Sequence, residues 1–179
     1  RVLWLVKGLG AGGAERLLVL SARHRSPGVL PTVAYLLPWK DALRADLESA
    51  GVPTICLDAR AGWDPRVILR LRRLIAEGRF EIVHAHSPLP AVAARAALRT
   101  LPRRSRPALV TTEHNVWSSH SRATRFLDGL TARGRETHLA VSEAVRASLP
   151  RRLRTTTAVI RYGIEVEATA ARRRSEEHT

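Results

Sequence analysis

The chain has 179 residues, 45% hydrophobic and 26% charged, with 30 basic residues against 16 acidic for a formal charge of +14. This length and balance fit one ordinary globular domain and exclude a disordered polymer, and no apolar run reaches the ~20 residues of a membrane-spanning helix. The single cysteine, Cys56, excludes an internal disulfide and a thiol metal site.

Hydrophobic periodicity predicts strands and helices in alternation. Val2–Val6 reads as a strand leading into the glycine-rich Gly8–Gly13 and a helix over Ala14–Arg23. A strand follows over Thr32–Leu37, a helix over Asp41–Ala50 closed by Gly51, and a strand over Pro53–Leu57 that carries Cys56 into the interior. Pro65–Ala76 is amphipathic: Val67, Ile68, Leu71, Leu74 and Ile75 share one face, with Arg66, Arg70, Arg73 and Glu77 opposite. Next come a strand over Glu81–His86, an alanine-rich helix over Ala91–Leu101, a basic linker at Arg103–Arg106 and a strand over Ala108–Thr112. A helix near Ala123–Ala132, a strand over His138–Val141, a short helix over Glu143–Leu149 and a strand over Ala158–Arg161 complete the pattern.

No signal-peptide pattern precedes the first strand. At the other end, Arg174–Thr179 resembles the translated sequence of a sequencing adapter. The expected layout is a domain over residues 1–165 and a tail over 166–179 to which no function is assigned.

Strands apolar on both sides, alternating with helices, predict right-handed crossovers and a parallel sheet covered on both faces. The expected fold class is α/β, a Rossmann-like doubly wound three-layer domain. Ligands of such sheets sit beyond the carboxyl ends of the strands, so the residues just after each strand are the candidates.

After the first strand, Gly8, Gly10 and Gly13 satisfy G-x-G-x-x-G. Glycines let the backbone approach a ligand, and the helix that follows offers free N–H groups to an anion. A dinucleotide site also needs an acid near the end of the second strand, where this chain has Leu36-Leu37-Pro38-Trp39-Lys40. A tight turn needed only for helix–sheet packing is the alternative reading of the glycines. His84 and His86 share a strand face; with His114 they form a zinc pattern, or one packs and the other is hydrogen-bonded at the sheet edge. His114 and Asn115 leave the fifth strand, where a histidine can donate to a phosphate or hydroxyl or serve as acid or base. A plain polar loop has the same composition. Ser142 reads as the cap of the helix after the sixth strand.

Five segments, in order, resemble the N-terminal domain of the family-four retaining glycosyltransferases, enzymes of the two-domain GT-B fold. They are GLGAGGAER (Gly8–Arg16), FEIVHAHS (Phe80–Ser87), VTTEHN (Val110–Asn115), HLAVSEAVR (His138–Arg146) and VIRYGIE (Val159–Glu165). The resemblance is closest to bacterial members that act in envelope and polysaccharide assembly. It implies transfer of a hexose from a nucleotide-diphosphate sugar, with retention, to a glycan or lipid-linked acceptor. It implies His114 at the reaction centre, with Gly10, Gly12, Gly13, Glu15, His86, Ser87, Asn115, Ser142 and Glu143 around donor or acceptor. No metal and no cofactor beyond the co-substrate is implied. The donor-binding second domain is expected outside this chain, so the 179 residues alone are expected to be inactive.

Tyr162 stands where the family usually has the asparagine of a Pro-Asn-Gly-like segment, which leaves that contact with the cleft open. The resemblance implies a cytoplasmic protein, with peripheral contact at the inner face of an anionic membrane through the arginines of Pro65–Ala76 and Arg103–Arg106. Two other readings stand beside it: a fragment of an NAD(P)-binding Rossmann oxidoreductase, and a non-enzymatic basic binding module. Nucleic acid is not the expected partner, because the basic clusters contain no aromatic stacking residues and no recognition motif is present.

Overall fold

The computed structural model describes residues 1–61, 64–132 and 136–163. Ile164 and Glu165 of the last quoted segment, and the tail over 166–179, lie outside the described residues.

The described chain forms β1 (Val2–Val6), α1 (Gly13–Arg23), β2 (Pro31–Tyr35), α2 (Arg44–Ser49), β3 (Thr54–Cys56), α3 (Arg66–Gly78) and β4 (Ile82–His86). It continues through α4 (Pro88–Arg99), β5 (Ala108–Glu113), α5 (Arg122–Thr131), β6 (Thr137–Ala140), α6 (Glu143–Ser148), α7 (Arg151–Arg154) and β7 (Thr157–Val159). The strands make one sheet in the order β3-β2-β1-β4-β5-β6-β7, and every pairing is parallel. The chain steps outward from β1 to β3 and then crosses back to β4. That reversal between β1 and β4 is the switch point where open sheets of this kind bind ligands.

Strand alternation divides the core in two. Leu3, Leu5, Val83 and Ala85 are at most 0% exposed and meet Val67, Leu71 and Ile75 of α3 and Ala91, Ala94 and Ala97 of α4. Trp4, Val6, Val33 and Tyr35 face the other way and meet Leu18, Val19 and Ala22 of α1 and Leu47 of α2. Burial of this many apolar side chains, each contributing about 1.5–3 kcal/mol, is what orders the sheet.

The apolar face of α3 is thus consumed by the sheet, as its period requires, and its arginines, Leu69 and Glu77 remain outside. Three details differ from the sequence reading. Helix α4 starts at Pro88, because proline fits the first turn, where its missing N–H has no partner to lose. Helix α7 is four residues of mostly exposed arginine anchored by buried Leu153, too short for a periodic signal. Cys56 is the last residue of edge strand β3 and only half-buried, because no further strand covers β3 on its open side.

Candidate active site

The site is assembled at the carboxyl ends of three neighbouring strands: β1, β4 and β5. The loop after β1 is fixed from below by Leu9, which is fully buried. Its N–H donates to the Lys40 carbonyl at 2.6 Å and its carbonyl accepts from the Leu43 N–H at 2.9 Å. This anchoring turns Gly10, Gly12 and Gly13 outward. Space above Gly10 and Gly13 is open, while a Cβ on Gly12 would lie 2.5 Å from Glu15 Oε2. Gly12, the N-cap of α1, has no side chain to bond the first N–H groups of the helix, and the Glu15 carboxylate folds back beside it.

Strand β4 ends in His84 and His86, whose rings lie on one face with centroids 4.2 Å apart. His84 Nε2 is hydrogen-bonded to Thr112 Oγ1 on β5 at 2.7 Å. His86 Nδ1 meets His114 Nε2 at 3.0 Å, and its own Nε2 is buried without a partner among the described residues. The ring of Tyr162 stacks on the far side of His114, centroids 5.8 Å apart. The rings follow one another in the order His84, His86, His114, Tyr162, with His86 the most deeply buried.

Burial makes all three histidines poor bases. His84 is held at about 4 by burial and by the neighbouring His114. His114 is held at about 4 by burial alone. His86 lies well below its usual value through burial, reinforced by His84 and His114. At neutral pH the stack is uncharged, so the His86–His114 contact is one N–H donating to one lone pair. The two nitrogens are spent on each other. Tyr162 is also shielded, and burial raises its phenol above the usual value.

Ser87, the residue after β4, has φ +80° and ψ 160°, a backbone region that favours glycine. Its N–H donates to the Thr112 carbonyl at 2.8 Å, which holds the strained turn at the sheet edge. Asn115 is exposed next to His114. Ser142 caps α6, accepting from the Val145 N–H at 3.2 Å. Glu143 is exposed and paired with Arg146 at 2.7 Å, so these two lie at the end of β6, one strand beyond β5.

The opposite face of β5 carries a second buried polar system. Arg95 on α4 is paired with Asp128 on α5 and, at 2.7 Å, with Glu136 before β6. Glu136 also lies 3.4 Å from His138 Nε2, and His138 Nδ1 is hydrogen-bonded to Thr111 Oγ1 at 2.9 Å. Burial alone would raise Glu136, but His138 and Arg95 outweigh it and hold the carboxyl below its usual value. Glu113 lies on this face 3.4 Å from His120, and burial raises its pKa.

Among the candidates from the sequence, the loop glycines, His86, Ser87 and His114 follow adjacent strands. His86 stands behind His114 and reaches a ligand only through it. Tyr162 was not a candidate, since its position was judged by the asparagine it lacks; the aromatic ring instead closes the stack. The register signal was present in H-x-H and T-T-E-H, which pair His86 with Thr112 across β4 and β5.

The sequence matches the model of glycosyltransferase family 4 over residues 9–168. This chain belongs to glycosyltransferase family 4. The match spans the glycine loop and the histidine stack together, and it decides against the oxidoreductase and binding-module readings. No curated protein matches the sequence. Among solved structures, HepE (Alr3699) of Anabaena in complex with UDP is similar, with 18% identity and TM-score 0.71 over 93% of this chain and 45% of that one. The lipopolysaccharide outer core galactosyltransferase WaaB, in its apo form, gives 11% identity and TM-score 0.71, covering 92% of this chain and 46% of that one. A glycosyltransferase from Rickettsia africae gives 20% identity and TM-score 0.69, covering 93% and 44%. The family 4 domain therefore spans less than half the length of these structures, and its fold is the Rossmann-like α/β fold of GT-B proteins.

Proposed function

We propose that this domain is the acceptor-side lobe of a retaining glycosyltransferase that moves a hexose from a nucleotide-diphosphate sugar to a lipid-linked or polysaccharide acceptor. The observation that carries the reading is the neutral His114, held by His86 at 3.0 Å and stacked by Tyr162, two strands from the glycine loop. The UDP bound to HepE and the galactosyl transfer named for WaaB support a nucleotide-hexose donor.

In this reading the glycine-loop N–H groups and the start of α1 face the diphosphate, where negative charge grows as the glycosidic bond breaks. His114, uncharged and held in place by His86, hydrogen-bonds a hydroxyl of the reacting sugar without adding a full positive charge beside an oxocarbenium-like centre. Glu15 and Asn115 accept and donate to sugar hydroxyls at the rim. Ser87, Ser142 and Glu143 lie along the acceptor side. Catalysis rests on positioned dipoles rather than on a protein nucleophile, and nucleotide contacts from a second lobe complete the site. Nucleotide sugars are cytoplasmic metabolites, so we infer a cytoplasmic protein.

Saturation-transfer NMR of the 179-residue chain with UDP-glucose tests this, since a half-site of on the order of millimolar affinity is still visible. Sugar protons should receive saturation in the wild type. His114→Ala should weaken the effect at least tenfold, as should Gly12→Val, whose side chain displaces Glu15. Undiminished transfer in both variants would overturn the assignment.

A further inference from the structure

The amino edge of the sheet, opposite the loops that carry the histidine column, holds a cavity of about 650 Å³, within the size range of small-molecule sites. Pro107 and Ala108 lead from it into β5, Glu136 leads into β6, and the end of α4 also lines it. The length of β5, about 20 Å at ~3.3 Å per residue, separates it from His114. Leu98, Pro107 and Leu109 supply apolar lining, and Arg95, Arg99, Arg103 and Arg106 supply positive charge.

The four arginines are not alike. Arg95 is buried and spent on Asp128 and Glu136, a group with one surplus acid. Arg99, Arg103 and Arg106 are exposed and form no ion pair among the described residues. Arg99 Nη2 donates to the Thr131 carbonyl at 2.7 Å, Arg106 Nε to the Leu101 carbonyl at 2.9 Å and Arg106 Nη2 to the Arg99 carbonyl at 3.0 Å. These bonds to neutral carbonyls fix the guanidinium groups without offsetting their charge, and each group keeps further N–H donors. Three arginines against one surplus acid leave the wall positive by two charges. The ends of α4 and α5, about half a negative charge each, do not cancel it. Capping of the two helices accounts for Arg99 and Arg106; it leaves Arg103 and the cavity without a role.

We propose that this cavity binds a soluble phosphate monoester with an apolar body, the terminal phosphate on Arg99, Arg103 and Arg106 and the body against Leu98, Pro107 and Leu109. A monoester brings about two negative charges at neutral pH and three free oxygens. That is the charge the wall lacks, with one acceptor for each arginine. A diester brings one charge and two free oxygens. A flat anionic surface would meet the arginines and leave the apolar recess unfilled. Neither phosphate of UDP-glucose is terminal, so the proposed donor is no ligand here, and the site does not depend on the transferase reading.

The test is titration of the 179-residue chain with phenyl phosphate, read by NMR at arginine Nε–H groups and leucine methyls, against phenyl sulfate, which has the same shape and one charge less. Phenyl phosphate should bind about tenfold more tightly or better, with shifts at Arg99, Arg103, Arg106, Leu98 and Leu109. Arg103→Glu should weaken it about tenfold or more, as loss of a charge-assisted hydrogen bond implies. Its thermal melt should be unchanged, since the Arg103 side chain makes no hydrogen bond or ion pair among the described residues. Arg151→Glu on α7 makes the same change of net charge away from the cavity and should leave binding unaltered. Equal binding of the two probes overturns the proposal, as does wild-type affinity in the Arg103 variant. Equal weakening by Arg151→Glu shows attraction by net charge alone and overturns it too. Binding to phosphatidylglycerol vesicles with none to phenyl phosphate assigns these arginines to a lipid surface and does the same.

Discussion

At the scale of single residues, His84, His86 and His114 act as one buried, uncharged column. Each takes up a proton more readily in the unfolded chain, near the ordinary value of about 6.5, than in the fold, where His84 and His114 sit at about 4. The unfolded state then binds more protons between these values, so stability is complete above pH ~6.5 and declines as pH falls toward 4. Urea midpoints measured from pH 7 to pH 5, above the range of most carboxylates, should fall steadily. His84→Gln, which keeps a donor toward Thr112, should fall less steeply. A flat wild-type profile across that window would contradict the buried column.

Ser87 makes a second residue-scale case. A serine at φ +80° costs about 1–3 kcal/mol relative to a residue without strain there. Ser87→Gly should therefore stabilise the domain by about 1 kcal/mol in chemical denaturation. If the hydroxyl faces the substrate as proposed, the same variant should bind UDP-glucose more weakly. Gain of stability with unchanged binding would show that the strain serves the turn alone.

At the scale of elements, the α4–α5 junction is held by charge where most of the domain is held by apolar packing. Arg95, Asp128 and Glu136 have side chains only 5%, 4% and 5% exposed. Arg95→Ala leaves two buried carboxyls without their cation, a change that costs about 3–5 kcal/mol. Arg44→Ala, which breaks the solvent-exposed pair with Glu48 at 2.9 Å, should leave the unfolding midpoint nearly where it is. A loss below about 1 kcal/mol for Arg95→Ala would show that the junction is held by something else.

These elements also mark how far sequence patterns reach. Strand β1 was legible because its apolar run, Val2–Val6, is continuous, and β4 and β5 were legible from the apolar residues that open them, Ile82-Val83 and Ala108-Leu109-Val110. Helix α3 was legible because Val67, Leu71 and Ile75 recur at the helical period on a single partner surface. Helix α5 was located by the same period, but its orientation, with Thr124 and Asp128 buried and Phe126 and Leu130 exposed, was not legible. Direction depends on Arg95, a residue 33 positions from Asp128, and no local rule links the two. Cys56 was misjudged for a related reason, since whether an edge strand is covered is decided by sheet order.

At the scale of the whole molecule, the parallel sheet gathers residues separated by about a hundred positions at one edge. The glycine loop and the T-T-E-H segment were legible as candidates because ligand sites in such sheets follow strand ends. Their linkage was less so: the His86–His114 contact depends on the β4–β5 register, and Tyr162 is brought to His114 only after the chain has passed β7. The arginine excess divides between structural pairs, as at Arg95, and free surface, as on α7.

The central claim is that the carboxyl edge beside His114 is the sugar-nucleotide face of this family 4 domain. The most direct measurement is an amide and histidine-ring NMR titration of the 179-residue chain with UDP-glucose. The account predicts shifts confined to Gly10–Glu15, His86, Ser87, His114, Asn115 and Tyr162, with the His114 ring remaining neutral throughout at pH 7. Shifts centred instead on the arginines of α4 and the Arg103–Arg106 linker, or none at millimolar ligand, would contradict it.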